Sequence, residues 1–267
     1  MNSDQAHSPT AAFFDLDKTI IATSSAAAFS RPFYAGGLIS RGAVLRSAYA
    51  HFLYMVGSAD ADQTERMRAH LSSMVTGWPV EQVSAIVAET LHQYIDPYVY
   101  SEAVELIEWH HAAGRDVVIV SASGYELVEP IAAVLGADHA IASHMQVEDG
   151  HYTGLIDFYA YGEHKAEAIL ALAAERGYDL DRSFAYSDSI TDAPMLGVVG
   201  HGFAVNPDRT LRRLAGEKGW GVLTFDRPVA LSRVSRTRSA IAILGGVALV
   251  VGGLLAWRAW RAARTLA

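Results

Sequence analysis

A chain of 267 residues, 51% of them apolar, is long enough to bury one large core with room for an inserted subdomain. It contains no cysteine, which excludes a disulfide framework, a thiolate nucleophile and cysteine-based metal sites. The net charge of −8 is unevenly spread: residues 227–267 hold seven arginines and no acid, so the rest carries −15, a poor footprint for binding nucleic acid.

Residues 1–10 are predicted to be a flexible leader, and the opening MNSDQAHSPTA lacks the basic and apolar stretches of a secretory signal. The apolar run AAFF (11–14) reads as a buried strand that delivers DLDKT at its C-terminal end. Helical periodicity then dominates, around Val44 to Met55 and over 80–95, before the next strand. That is far more chain than one crossover needs, so residues 24–95 are predicted to be an inserted helical cap, with Pro97 marking the return to the core. The aromatic residues Phe33, Tyr34, Tyr49, Phe52 and Tyr54 read as the packing face of this cap.

DVVIV (116–120) is predicted as a second buried strand running into Ser121-Ala122-Ser123, followed by a helix with Leu127, Ile131, Val134 and Leu135 on its apolar face. HMQVEDGHYTGLI alternates about Asp149-Gly150 as a hairpin does. Lys165 stands near the start of another helix, SFAYSD (183–188) repeats the strand-into-polar-loop design, and GFAVN and WGVLTF add later strands. Strands alternating with helices predict an α/β fold, a Rossmann-like parallel sheet built from residues 11–23 and 96–230 with its ligand site at the strands' C-terminal edge.

Residues 239–257 form a 19-residue window without a charge, flanked by arginines and by Trp257 and Trp260. As a helix the window would span ~28 Å, close to a bilayer core, and is predicted to be transmembrane; a buried or dimerising helix is the competing reading. Together with the signal-free leader this predicts a tail-anchored protein of the cytoplasmic membrane whose catalytic domain faces the cytoplasm. Charge bias does not orient the span, and oligomeric state is left open.

Several polar groups fall at strand ends. Asp15 and Asp17 could serve acid–base chemistry, bind a metal or cap the loop. Ser121 lies between a strand and a helix, where hydroxyls and free N–H groups bind anions, although serine is also a routine helix cap. Asp188 and Asp192 stand at i, i+4 after the third strand, a placement that suits metal binding. The histidines show no zinc spacing.

The order D-x-D-K-T, S-A-S, Lys165 and S-D-S-x-x-D, each at a fitting element boundary, resembles the haloacid dehalogenase-like superfamily. More narrowly, DLDKT, SASGYELVEPIAAVLGADHA, VEDGHYTG, YGEHKAEAI and YSDSITDAPML are similar to its phosphoserine phosphatase-like subfamily IB, in the membrane-tailed bacterial members, over about residues 11–225. The resemblance implies a Mg²⁺-dependent hydrolase of a small phosphomonoester that works through an aspartyl-phosphate. Asp15 would be nucleophile and metal ligand, with Asp17 as a ligand through its backbone carbonyl and Asp188 as another. Asp192 would hold a coordinated water or orient Lys165. Asp17 would protonate the leaving group and then activate water, while Ser121, Ala122 and Lys165 would bind the phosphoryl group.

The pattern departs from those enzymes at three places. Ser24 replaces the glutamate that recognises the substrate's amino group, Arg68 is the nearest candidate for the carboxylate-binding arginine, and Thr191 stands for an asparagine. Phosphoserine hydrolysis is therefore the alternative substrate reading, and a catalytically silent, membrane-tethered phospho-ligand binding protein is the non-enzymatic one.

Overall fold

A computed structural model of the chain describes residues 8–39 and 72–228; the expectations for Val44 to Met55, Tyr49, Phe52, Tyr54, Arg68 and the span 239–257 lie outside those residues. Seven strands form one sheet in the order β4-β3-β2-β1-β5-β6-β7. They are β1 (Ala11–Asp15), β2 (Asp116–Gly124), β3 (His139–Glu148), β4 (His151–Phe158), β5 (Phe184–Ser187), β6 (His201–Val205) and β7 (Gly221–Leu223). Every pairing is parallel except β3 with β4. The first strand is central, and all five of its residues are buried.

The described helices include α1 (Ser25–Ala28), α2 (Ser30–Ala35), α3 (Val80–Tyr94), α4 (Ser101–Ala112), α5 (Tyr125–Leu135), α6 (Glu163–Arg176), α7 (Ala193–Gly197) and α8 (Arg209–Lys218). Strand alternation sorts the core into two layers. Ala12, Phe14, Val117 and Ile119 pack with residues of α2, α3, α4 and α5 on one face. Phe13, Val118 and Val120 pack with residues of α6, α7 and α8 on the other. A parallel sheet covered on both faces requires this nearly continuous apolar character in its strands.

The apolar face of α5 matches the sequence expectation at Leu127, Ile131 and Leu135, which are buried in or packed against the core, and departs from it at Val134. Val128, Ile131 and Ala132 are buried, whereas Val134 is 40% exposed. The hairpin is as expected: Asp149 and Gly150 both take positive φ, 47° and 75°, as a type I′ turn demands. Its tip is joined to the segment before α3 by backbone hydrogen bonds from Gly77 N to Tyr152 O, Tyr152 N to Trp78 O, and Val80 N to Gly150 O. Among the described residues no helix is long and apolar enough to cross a membrane.

Beneath the centre of the sheet His110 of α4 is fully buried. The Arg115 Nε–H donates to its Nδ1 at 2.7 Å, which leaves the ring proton on Nε2 to donate to the Tyr186 hydroxyl at 2.9 Å. Tyr186 stacks on Phe14 with ring centroids 4.5 Å apart, so the network braces the strand that ends at Asp15. Burial, with Arg115 and His111 adding repulsion, pushes the His110 pKa down to about 3. The unfolded chain therefore takes up this proton near pH 6.5 and the folded chain only near pH 3, so stability is complete above 6.5 and declines on acidification across that window. Urea unfolding from pH 6.5 to pH 3 is expected to show a stability slope up to about 1.4 kcal/mol per pH unit steeper in the native chain than in His110→Gln. Equal slopes would show that His110 titrates alike folded and unfolded.

Candidate active site

The C-terminal ends of β1, β2 and β5 converge with the start of α6. Asp15, the last residue of the central strand, is 6% exposed. The chain then buries Leu16 completely and turns back at Lys18, whose φ of 62° is left-handed, an uncommon conformation for a residue with a side chain. That reversal brings Thr19 under the carboxylate: its hydroxyl donates to Asp15 Oδ2 at 3.2 Å and accepts from Asp188 N–H at 3.0 Å. Thr19 thus ties the loop after β1 to the loop after β5.

Lys165 enters from the other side. Gly162 has φ 58° and ψ −125°, and His164 N–H donates to Tyr161 O, a type II′ turn with glycine at its first central position. The turn launches α6 so that its third residue, Lys165, faces the sheet edge and is 2% exposed. The Lys165 ammonium lies 2.6 Å from Asp15 Oδ1 and 2.8 Å from Asp192 Oδ2. Asp192, 3% exposed, also accepts from Ser187 Oγ at 2.6 Å, and Ser187 Oγ in turn accepts from Ser189 N–H.

Asp17 has hydrogen-bond partners of its own. Ser25 N–H donates to Asp17 Oδ1 at 2.9 Å, Ser123 Oγ approaches Oδ2 at 3.4 Å, and the Ser25 and Ser123 hydroxyls are 2.7 Å apart. Ser121, 1% exposed, accepts from Ser123 N–H, and Ala122 O accepts from the Ser143 hydroxyl. The structure thus brings Asp15, Asp188, Asp192 and Lys165 to one edge and joins Asp17 to the Ser121-Ala122-Ser123 loop. The residues missing from the sequence reading are Thr19, Ser25 and Ser187. Thr19 and Ser187 lie inside the motifs DLDKT and YSDS and were legible there; nothing in the local sequence singles out Ser25.

The electrostatics of this edge are those of a site short of positive charge. Burial, reinforced by Asp192 and Asp188 and opposed by Lys165, raises the Asp15 pKa to about 8. Burial also raises Asp188, to about 6, with Lys18 opposing and Asp192 adding. Burial raises Asp17, against the hydrogen bonds from Ser25 and Ser24. Lys165 is held above its usual value because the carboxylates of Asp15 and Asp192 outweigh the desolvation of its ammonium. Among the described residues no group of three or more His, Cys, Asp or Glu side chains is gathered as a metal cage. Mg²⁺ does not require one: it binds through one or two carboxylates, keeps waters and takes substrate phosphate oxygens. Two raised carboxylates, Asp15 and Asp188, with oxygen donors around them fit that ion.

Residues 12–197 match the haloacid dehalogenase-like hydrolase family. A Streptomyces azureus protein named "Inhibition of morphological differentiation protein" is 58% identical over 261 residues, 94% of each chain. A phosphoserine phosphatase of Mycobacterium tuberculosis is 34% identical over 92% of this chain and 79% of its own. A histidinol-phosphatase of Neisseria meningitidis is 30% identical over 80% of this chain and 98% of its own. A solved structure described as a phospho-aspartyl intermediate analogue of phosphoserine phosphatase shares the fold, with a TM-score of 0.58 and 21% identity over 86% of this chain and 99% of that one.

The turn before α6 yields a test of how Lys165 is aimed. Gly162→Ala places a Cβ at positive φ, so the variant is expected to lose about 1–3 kcal/mol in thermal or urea unfolding. An unchanged midpoint would show that the turn tolerates a side chain.

Proposed function

This chain belongs to the haloacid dehalogenase-like hydrolases, and from that membership we propose that it is a Mg²⁺-dependent phosphatase acting on a small phosphomonoester through an aspartyl-phosphate on Asp15. The observation that carries this reading is the buried lysine bridge at the strand edge, with Lys165 Nζ 2.6 Å from Asp15 and 2.8 Å from Asp192. It fixes one carboxylate where a phosphoryl group would arrive and sets a permanent cation beside it.

A carboxylate oxygen of Asp15 attacks phosphorus, forming the aspartyl-phosphate as the ester oxygen departs. Asp17, whose burial favours its protonated form, gives that oxygen a proton and the alcohol leaves. Water then attacks the same phosphorus and passes a proton to Asp17 as the bond from phosphorus to the Asp15 carboxylate oxygen breaks, releasing phosphate and the free carboxylate. Ser121, the backbone N–H of Ala122 and Lys165 stabilise charge on the transferring oxygens. Asp192, bonded to Ser187, holds Lys165 in place. Mg²⁺, held by Asp15, Asp188 and the Asp17 carbonyl, would screen the attacking carboxylate from the phosphate and draw Asp15 into its ionised form.

The substrate reading is a small phosphorylated metabolite other than phosphoserine. Relatives of similar identity are named for phosphoserine and for histidinol phosphate, and Ser24 stands in the amino-recognition position, half-buried at the N-cap of α1. The relative's name favours phosphoserine as the second reading, with Arg68 as its carboxylate partner; a Ser24→Glu variant that gains phosphoserine turnover would mark how that specificity was lost. We further propose that residues 24–95 act as the cap over a core of 11–23 and 96–230, and that residues 239–257 anchor the enzyme to the cytoplasmic membrane with its catalytic domain on the cytoplasmic side.

Phosphate release by the full chain in detergent, measured on a panel of phosphomonoesters, is expected only with Mg²⁺ present. Asp15→Asn is expected to lower turnover by roughly 10³-fold or more. Release without metal would contradict the metal requirement. A folded chain that hydrolyses nothing on the panel would favour the silent phospho-ligand binding protein.

A further inference from the structure

Asp17 and Asp15 are separated by one residue yet share no hydrogen-bond partner among those described. The carboxylate of Asp17 is aimed by groups from two other parts of the fold. Ser25, fully buried, is the first residue of α1, which opens the inserted segment, and its backbone N–H meets Asp17 Oδ1 at 2.9 Å. Ser123, at the end of β2, reaches Oδ2 with its hydroxyl at 3.4 Å.

The two serine hydroxyls, 2.7 Å apart, have a consistent proton order. If Ser123 spends its single hydroxyl proton on the carboxylate, Ser25 Oγ–H donates to Ser123 Oγ, and the Ser123 proton points toward Asp17. Ser123 is itself held by its N–H, which donates to Ser121 Oγ. The shorter contact from Ser25 N–H is the stronger restraint, and the longer one from Ser123 supports it.

We infer that Ser25 and Ser123 are positioning residues that hold Asp17 in the orientation from which it protonates the leaving oxygen, so that the acid is aligned only when α1 is seated on the β2 loop. This rests on the role of Asp17 proposed above. It makes the seating of the inserted segment part of the proton transfer, because α1 supplies the main donor.

The consequence is a dependence on leaving group. An alkyl phosphate needs its departing oxygen protonated, whereas an aryl phosphate with a good leaving group such as p-nitrophenolate needs little help. The comparison is made on kcat/KM, which ends with phosphoryl transfer to Asp15 and so excludes the later hydrolysis.

Ser25→Pro removes the N–H together with the hydroxyl, so the effect of the N–H is read as its difference from Ser25→Ala. Ser24 already has the extended φ −85° and ψ 134° that a following proline requires, and proline is well tolerated as the first residue of a helix. Ser25→Ala keeps the N–H and loses only the hydroxyl. With the full chain and Mg²⁺, Ser25→Pro is expected to lower kcat/KM on the best alkyl phosphate at least ~10-fold more than on p-nitrophenyl phosphate, and Ser123→Ala to do so by roughly 3–5-fold. Ser25→Ala should fall between the native enzyme and Ser25→Pro, and Ser123→Thr, which restores the hydroxyl, should regain the native ratio.

Equal losses on alkyl and aryl esters in Ser25→Pro, with unfolding midpoints near native, would overturn the inference and leave these serines a purely structural part. Asp17→Asn serves as the control for the underlying reading. If it too fails to discriminate between leaving groups, the acid role of Asp17 falls and the positioning role with it.

Discussion

The arrangement hangs on one buried ammonium shared between two carboxylates. Lys165 lies within 3 Å of both Asp15 and Asp192, and all three are nearly inaccessible to solvent. Removing charges from water is costly, and a buried ion pair is maintained only when geometry and further hydrogen bonds compensate. Here Thr19 completes Asp15 and Ser187 completes Asp192. The parts that satisfy this requirement come from the central strand, from β5 and its loop, and from the turn that starts α6, so the edge is assembled only by the folded sheet.

The same burial leaves the edge with more acid than base. Lys165 compensates for one negative charge, while Asp15, Asp188 and Asp192 share the neighbourhood and Asp15 and Asp188 are pushed above the ordinary carboxylate range. A carboxylate attacking an anionic phosphate, as proposed for Asp15, would gain from a hard divalent cation beside it. Asp17 has its own hydrogen-bond partners, serine donors supplied by α1 and β2, as the different roles proposed for these two acids require. Alternation along the strand exit creates the opportunity; the partners decide the outcome.

Much of this was legible in the sequence because the strongest signals are local. AAFF before DLDKT, DVVIV before SAS, and SFAY before SDS are buried strands that expose polar residues only at their ends, and the observed strands match them. Asp149-Gly150 specified its turn through the positive φ that glycine and aspartate accept. The face of α5 was read correctly at Leu127, Ile131 and Leu135 and misread only at Val134, which is as apolar as Val128 yet exposed. Ser25 could not be found from local pattern, since its contribution is a backbone N–H brought to Asp17 by the fold. Arg68 and the apolar window 239–257 lie outside the described residues, so their roles rest on the sequence alone.

The central claim is covalent catalysis by Asp15, and it is tested most directly by rapid acid quench of the full enzyme mixed with a phosphomonoester labelled in its phosphoryl group. The account predicts that label appears on the native chain before free phosphate does, is discharged by hydroxylamine as an acyl phosphate must be, and is absent from Asp15→Asn. Turnover without any labelled protein at the shortest times, or label that persists in Asp15→Asn, would contradict it.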